Sequence, residues 1–170
     1  MEIREAKIMG GVGSILTLLG FIPTIGWVLS IVGLILLYLS IKKISEAVAR
    51  TEILTDFTKA IILSIVSVIF FAFGGGATFF GIFSLIKGGG GFALAIILFI
   101  IGWIIAIIGS YFYYQALSKT GESTKINTFR TAGLLIFIGN ILLIIFVGGI
   151  VGLIGRIFEI ISFFSLPDTI

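Results

Sequence analysis

Four long apolar blocks organise this chain, Ile8–Ile41, Ala60–Ile86, Phe92–Leu117 and Thr131–Phe164, and the first three contain no charged residue. Arg156 and Glu159 alone interrupt the fourth. A bilayer core about 30 Å thick takes roughly 20 apolar residues as helix, and a lipid-exposed backbone must satisfy its own hydrogen bonds. Blocks this long therefore read as membrane-spanning helices. Composition agrees: 59% of the 170 residues are hydrophobic and 11% are charged, against about 45–50% and about 25% in soluble domains. The chain is solvated by lipid.

The middle blocks hold 27 and 26 residues and give one tilted span each, 60–86 and 92–117. The first block, at 34 residues, is too long for one crossing. Pro23, between Gly20 and Gly26, removes a helix hydrogen bond at its middle. Basic residues choose between a hairpin and a single kinked helix, because they favour the cytoplasmic side. A single crossing divides Lys and Arg 7 to 4, whereas a hairpin divides them 9 to 2. The hairpin is therefore expected, with short spans at 6–20 and 27–41, Pro23 outside and the N-terminus in the cytoplasm. Four spans, the first long and Pro-kinked, are the alternative. The mixed charges Glu2, Arg4, Glu5 and Lys7 do not resemble a secretory signal, so the start reads as mature protein.

The fourth block reads as a span over 131–155 followed by an interfacial helix over 156–166. A return crossing would carry Arg156 and Glu159 into lipid, at about 2.5–3.5 kcal/mol for the arginine. At i, i+3 they can pair on a helix surface instead. The expected fold is an all-α integral membrane protein, one domain over 1–170, with five transmembrane helices and a C-terminal interfacial helix. In the linkers, Lys42–Arg50 should extend the second helix with a Glu46–Arg50 pair, Thr55 or Asp56 should cap the third, and Gly121 should close the fourth. Ser14–Ile35 laid on Gly133–Ile154 gives 10 identities in 22 positions. Shared Ile, Leu and Gly content is the preferred explanation of that echo over an internal repeat.

Chemistry is sparse. Cysteine and histidine are absent, which removes thiolate nucleophiles, imidazole acid–base work and their metal sites. The glycine runs at Gly10–Gly13, Gly74–Gly76 and Gly88–Gly91 lack the preceding strand and Lys-Ser/Thr ending of a phosphate loop. No catalytic, cofactor-binding or metal-binding residue is expected, the chain is not read as an enzyme, and a net charge of +3 does not point to nucleic acid. Gly148 and Gly152 form a small-xxx-small pair, continued by Gly155, suited to close helix contact within the bundle or between copies. The intramembrane polar groups are Ser14, Thr17, Ser30, Ser64, Ser67, Thr78 and Asn140. Asn140 is the most costly of them in lipid and should face another helix or a cavity. Candidate packing or cavity positions are thus Asn140, Pro23, Gly148 and Gly152.

The run Gly10–Gly26 followed by Ile41-Lys42-Lys43-Ile44-Ser45, the segment Tyr114–Gly121, and Phe129…Gly133 before the closing apolar run together resemble a small multi-pass family. That family is mostly archaeal and is catalogued as domain of unknown function 996. The resemblance covers nearly the whole chain and implies a prokaryotic cell-membrane protein, with no activity or ligand attached. The expected function is a structural or accessory membrane component without catalysis, acting as a homo-oligomer or subunit of a larger complex, and the alternative is a passive channel or transporter for a small or lipid-like solute. Convergence of Asn140, Thr78 and Ser64 or Ser67 on one cavity would favour the second.

Overall fold

A computed structural model describes residues 3–85, 91–145 and 147–169, with backbone only for 21, 75–85, 91 and 92. The described chain is helical throughout: α1 (Arg4–Leu18), α2 (Gly26–Ala47), α3 (Thr51–Leu85), α4 (Gly91–Thr124), α5 (Thr128–Ile141) and α6 (Val147–Phe164), with short 3-10 turns at Leu19–Phe21 and Leu142–Ile145. Five helices are long and apolar enough to cross a membrane: α2, most of α3 and α4, Thr128–Ile145 and α6. The number matches the sequence reading, but the membership differs. α1, with 15 residues, is the short arm of a hairpin, and the last apolar block supplies two helices.

The first block folds as the expected hairpin. After Leu19–Phe21 the backbone extends at Ile22, and Thr24 takes a positive φ of 74°. Pro23 has no N–H to continue a helix, and its carbonyl accepts from the Ile25 N–H at 2.9 Å. The arms then close tightly: a Cβ on Gly13 would lie 2.8 Å from the Gly33 carbonyl oxygen. Side chains at this crossing would push α1 and α2 apart.

The end of the chain departs from expectation. The single span over 131–155 is broken at Leu142–Ile145, and Arg156–Leu166 is no separate helix: residues 156–164 continue α6. α6 returns antiparallel to α5, where a Cβ on Gly139 would lie 2.7 Å from the Gly152 nitrogen. The helix ends against α1, with the Phe163 ring filling the space a side chain at Gly10 would need. An N–H···O bond from Ile3 to the Asp168 carbonyl, 2.9 Å, joins the two ends of the chain. Both termini therefore lie at one end of the bundle.

That end carries the charge. Lys7 pairs with Asp168 at 3.4 Å, Lys119 with Asp56 at 2.7 Å and Glu52 at 3.2 Å, and Lys43 with Glu5. Arg50 pairs with Glu52 at 2.6 Å and Glu122 at 3.5 Å, in place of the expected Glu46. α2 stops at Ala47, α3 already starts at Thr51 and α4 runs through Gly121 to Thr124, so neither Thr55, Asp56 nor Gly121 marks a helix end. Lys43 holds the Glu5 carboxyl below its ordinary range, and Glu52 raises the Arg50 guanidinium further above its own. Of the expected outer turn Lys87–Gly91, only Gly91 is among the described residues.

The apolar core sits just inside the charged end, built from Leu37, Ile41, Ile53, Phe57, Leu117, Phe129 and Phe163. Away from it, large apolar side chains such as Ile31, Ile62, Val68, Ile97 and Ile150 are exposed. An apolar surface of that extent suits helices that face lipid.

Candidate functional site

The polar side chains scattered along the apolar blocks gather at mid-bundle. Arg156 and Glu159 lie one turn apart on α6 and pair at 2.8 Å. Tyr113 of α4 donates its hydroxyl to Glu159 Oε1 at 2.6 Å and accepts from Arg156 Nη1 at 2.9 Å. Ser14 of α1 donates to the same carboxylate oxygen at 3.1 Å. The guanidinium also lies over the Tyr113 ring, 5.1 Å from its centroid, where ring and cation attract. Glu159 and Ser14 are completely buried.

This arrangement corrects the placement of Arg156 and Glu159 in an outer interface. The energetic objection to a return crossing holds for an arginine facing lipid alone. Here the two charges cancel within one helix, and a phenol and a serine complete the carboxylate's hydrogen bonding. Paired and hydrogen-bonded charges are the form in which burial is tolerated.

Beside this quartet lies a cavity of about 280 Å³ to which all six helices contribute. Its polar lining is Thr17 from α1, Ser64 and Ser67 from α3, Ser110 and Tyr113 from α4, Asn140 from α5 and Arg156 from α6. Leu34 and Leu37 represent α2. The α3 lining runs from Ala60 to Phe71, roughly 16 Å along the axis at about 1.5 Å per residue. Besides Tyr113 and Arg156, three of these groups are already occupied: Thr17 donates to the Gly13 carbonyl at 2.8 Å, Ser110 to Ile107 at 2.9 Å, and the Asn140 amide to Ile136 at 3.0 Å. Trp103 fixes the same turn of α5 by donating Nε1–H to the Asn140 carbonyl at 2.9 Å. Ser67, 4% exposed, has no hydrogen-bond partner for its hydroxyl among the described residues.

Asn140, Ser64 and Ser67 thus come together, as a solute cavity requires, while the Thr78 side chain lies outside the described residues. The other singled-out positions are elsewhere. Pro23 is exposed in the turn between α1 and α2. Gly148 packs its backbone on the Gly139 carbonyl, and the space a Gly152 side chain would take is open. Sequence reasoning did not place Tyr113, Ser110 or Arg156 at the site. The available signal was the Arg156/Glu159 pair itself, a charge-neutral i, i+3 unit inside an otherwise apolar run.

Towards the charged end lie the core residues Phe57, Leu37, Ile41 and Leu117, all buried. The lining offers hydrogen-bond donors and one cation. Glu159, whose oxygens are taken by Ser14, Tyr113 and Arg156, is not part of it. Such a site suits a polar group that accepts hydrogen bonds.

Comparison with known sequences gives one family model and one curated relative. The model, described as a protein of unknown function (DUF996), matches residues 29–157. An uncharacterised protein of Methanocaldococcus jannaschii is 35% identical over 173 residues, covering 99% of this chain and 95% of the relative. No solved structure matches.

Proposed function

Since the chain belongs to the DUF996 family, a membership that brings no chemistry with it, we propose from the site alone that the protein binds a small or lipid-like solute and passes it across the membrane without catalysis. The observation that carries this reading is the convergence of Ser64, Ser67, Asn140 and Arg156 on one cavity shared by six helices. The alternative role, a purely structural or accessory component, draws less support. Gly10, Gly13, Gly33, Gly139 and Gly148 all meet groups of the same chain, so these close-packing positions do not call for a partner. With nine of the eleven Lys and Arg near the charged end, that end belongs in the cytoplasm of a prokaryotic cell.

Reconstitution into liposomes tests the reading. Uptake of small neutral and anionic solutes should saturate, and a cavity-filling change at Ser67 or at Ala106, which lines the cavity from α4, to leucine should abolish it while helicity and monodispersity persist. Flux equal to that of empty liposomes, or flux indifferent to filling, would remove the transport reading.

A further inference from the structure

A second void lies against the first. Between α2 and α3 a crevice of about 260 Å³ is lined by Leu34, Ile35, Tyr38, Leu39, Ile61 and Ile62, together with Thr58. Its walls are almost wholly apolar. Ile35, Leu39 and Ile62 are also exposed at the bundle surface, which is the lipid-facing side of these helices. Leu34 and Ile61 line both voids, and both are half-buried. Two apolar side chains, one from each helix, therefore form the wall between a lipid-facing crevice and a polar cavity.

The polar end of this path is equally specific. Arg156 makes both of its protein hydrogen bonds through Nη1. Its remaining N–H donors have no partner among the described residues, and the side chain, 27% exposed, lines the cavity. A guanidinium matches the paired oxygens of a carboxylate or phosphate with two parallel bonds. The Ser67 hydroxyl lies in the same lining.

We infer that the ligand is a single-chain amphiphile with an anionic, hydrogen-bond-accepting head group, which enters from the bilayer between α2 and α3, past Leu34 and Ile61, and sets its head on Arg156. The inference rests on the solute-binding reading and adds to it the class of ligand and the side of entry. The alkyl chain occupies the crevice, and the head lies in the cavity. Lateral entry spares the head group a passage through the packed core.

Native mass spectrometry of the full chain from mild detergent provides the test, with hexadecyl phosphate as the amphiphile and methyl phosphate as the head group alone. The wild type should retain one hexadecyl phosphate. Thr58→Trp or Leu39→Trp, at positions that line the crevice and not the cavity, should weaken it at least ten-fold while leaving methyl phosphate binding within two-fold. Arg156→Lys, which keeps the charge beside Glu159 and loses the fork, should weaken both probes ten-fold. Undiminished hexadecyl phosphate binding in both tryptophan variants would overturn entry between α2 and α3 and leave the cavity reading standing. Binding indifferent to Arg156→Lys would overturn the head-group assignment. If neither probe binds the wild type, the amphiphile inference falls, and the solute reading then rests on the flux of neutral solutes.

Discussion

The Tyr113 hydroxyl donates to Glu159 Oε1 at 2.6 Å and receives a bond from Arg156 at 2.9 Å, so a phenol from α4 bridges the two charges of α6. Through this bridge the returning helix is joined to the centre of the bundle, and Ser14 joins α1 to the same carboxylate. The cavity wall at Arg156 is fixed by the same bonds.

Tyr113→Phe should therefore lower unfolding stability by about 1.5–3 kcal/mol, the range for a hydrogen bond to a charged group. Glu159→Ala should cost about 3–5 kcal/mol, because it leaves a partly buried arginine without its counter-charge. The two changes act on one network, so their double mutant should fall short of additivity by more than about 0.5 kcal/mol. Equilibrium unfolding in mixed micelles measures all three. Simple additivity would show that the hydroxyl and the carboxylate are not coupled.

Much of this fold is legible in the chain. Pro23 between two glycines, read with the basic-residue count, yields the α1/α2 hairpin and the polar groups that later meet at the cavity. The α5/α6 turn is not legible: Leu142–Ile145 is as apolar as its flanks, with no proline to mark it. What closes that hairpin is backbone contact of Gly139 with Gly148 and Gly152, which in the sequence reads equally well as a packing face of one long helix. The echo between Ser14–Ile35 and Gly133–Ile154 gains weight here. Both windows contain a helix–turn–helix, and the aligned pair Gly20 and Gly139 each approach a glycine across their own hairpin, Gly26 and Gly148. Arg156 and Glu159 were misplaced because an insertion cost describes one residue in lipid, whereas burial is decided by partners on α1 and α4.

The α6 glycines separate by surroundings, although their spacing in sequence is regular. A Cβ on Gly148 would overlap the Gly139 carbonyl and the Leu143 nitrogen, while Gly149 and Gly152 have nothing within 4 Å. Gly148→Ala should destabilise by about 1–3 kcal/mol through overpacking. Gly149→Ala should be neutral or stabilising by about 0.5–1 kcal/mol, since it removes backbone freedom from a helix. Thermal unfolding midpoints should rank Gly149→Ala at or above wild type and Gly148→Ala well below. Equal midpoints would contradict the α5/α6 contact.

The Glu5–Lys43 pair joins the start of α1 to the end of α2 at the charged end, and Lys43 lowers the Glu5 pKa from its ordinary 4.5. For a carboxylate with a depressed folded pKa, the stabilisation is present above the unfolded value and is lost as pH falls through the folded one. The contribution should therefore be complete at pH 6–7 and decline below about 4.5. Glu5→Gln should lower the unfolding midpoint slightly at pH 7, and the difference should shrink as pH falls through the lowered folded value. Because the pair is exposed, 0.5 M salt should shrink the difference at pH 7. A deficit that does not shrink as pH falls would mean that Glu5 acts by packing.

The six helices of the described residues, with the joined ends of the chain, make the sharpest prediction. Ile3 and Asp168 are hydrogen-bonded, so a chain whose N-terminus is cytoplasmic must also end in the cytoplasm. An interfacial tail on the outer face would place position 169 outside. In this cysteine-free chain, single cysteines can replace Thr24, Ala47, Ser123 and Thr169. Thr24 lies exposed in the turn between α1 and α2, whereas Ala47, Ser123 and Thr169 belong to the charged end. Nine basic residues direct that end inward. An impermeant maleimide applied to intact cells should label position 24 and spare 47, 123 and 169, and all four should react once the membrane is opened. Labelling of 169 together with 24 would disprove the return of α6. The reverse pattern, with 47, 123 and 169 labelled and 24 protected, would keep the fold and invert its orientation.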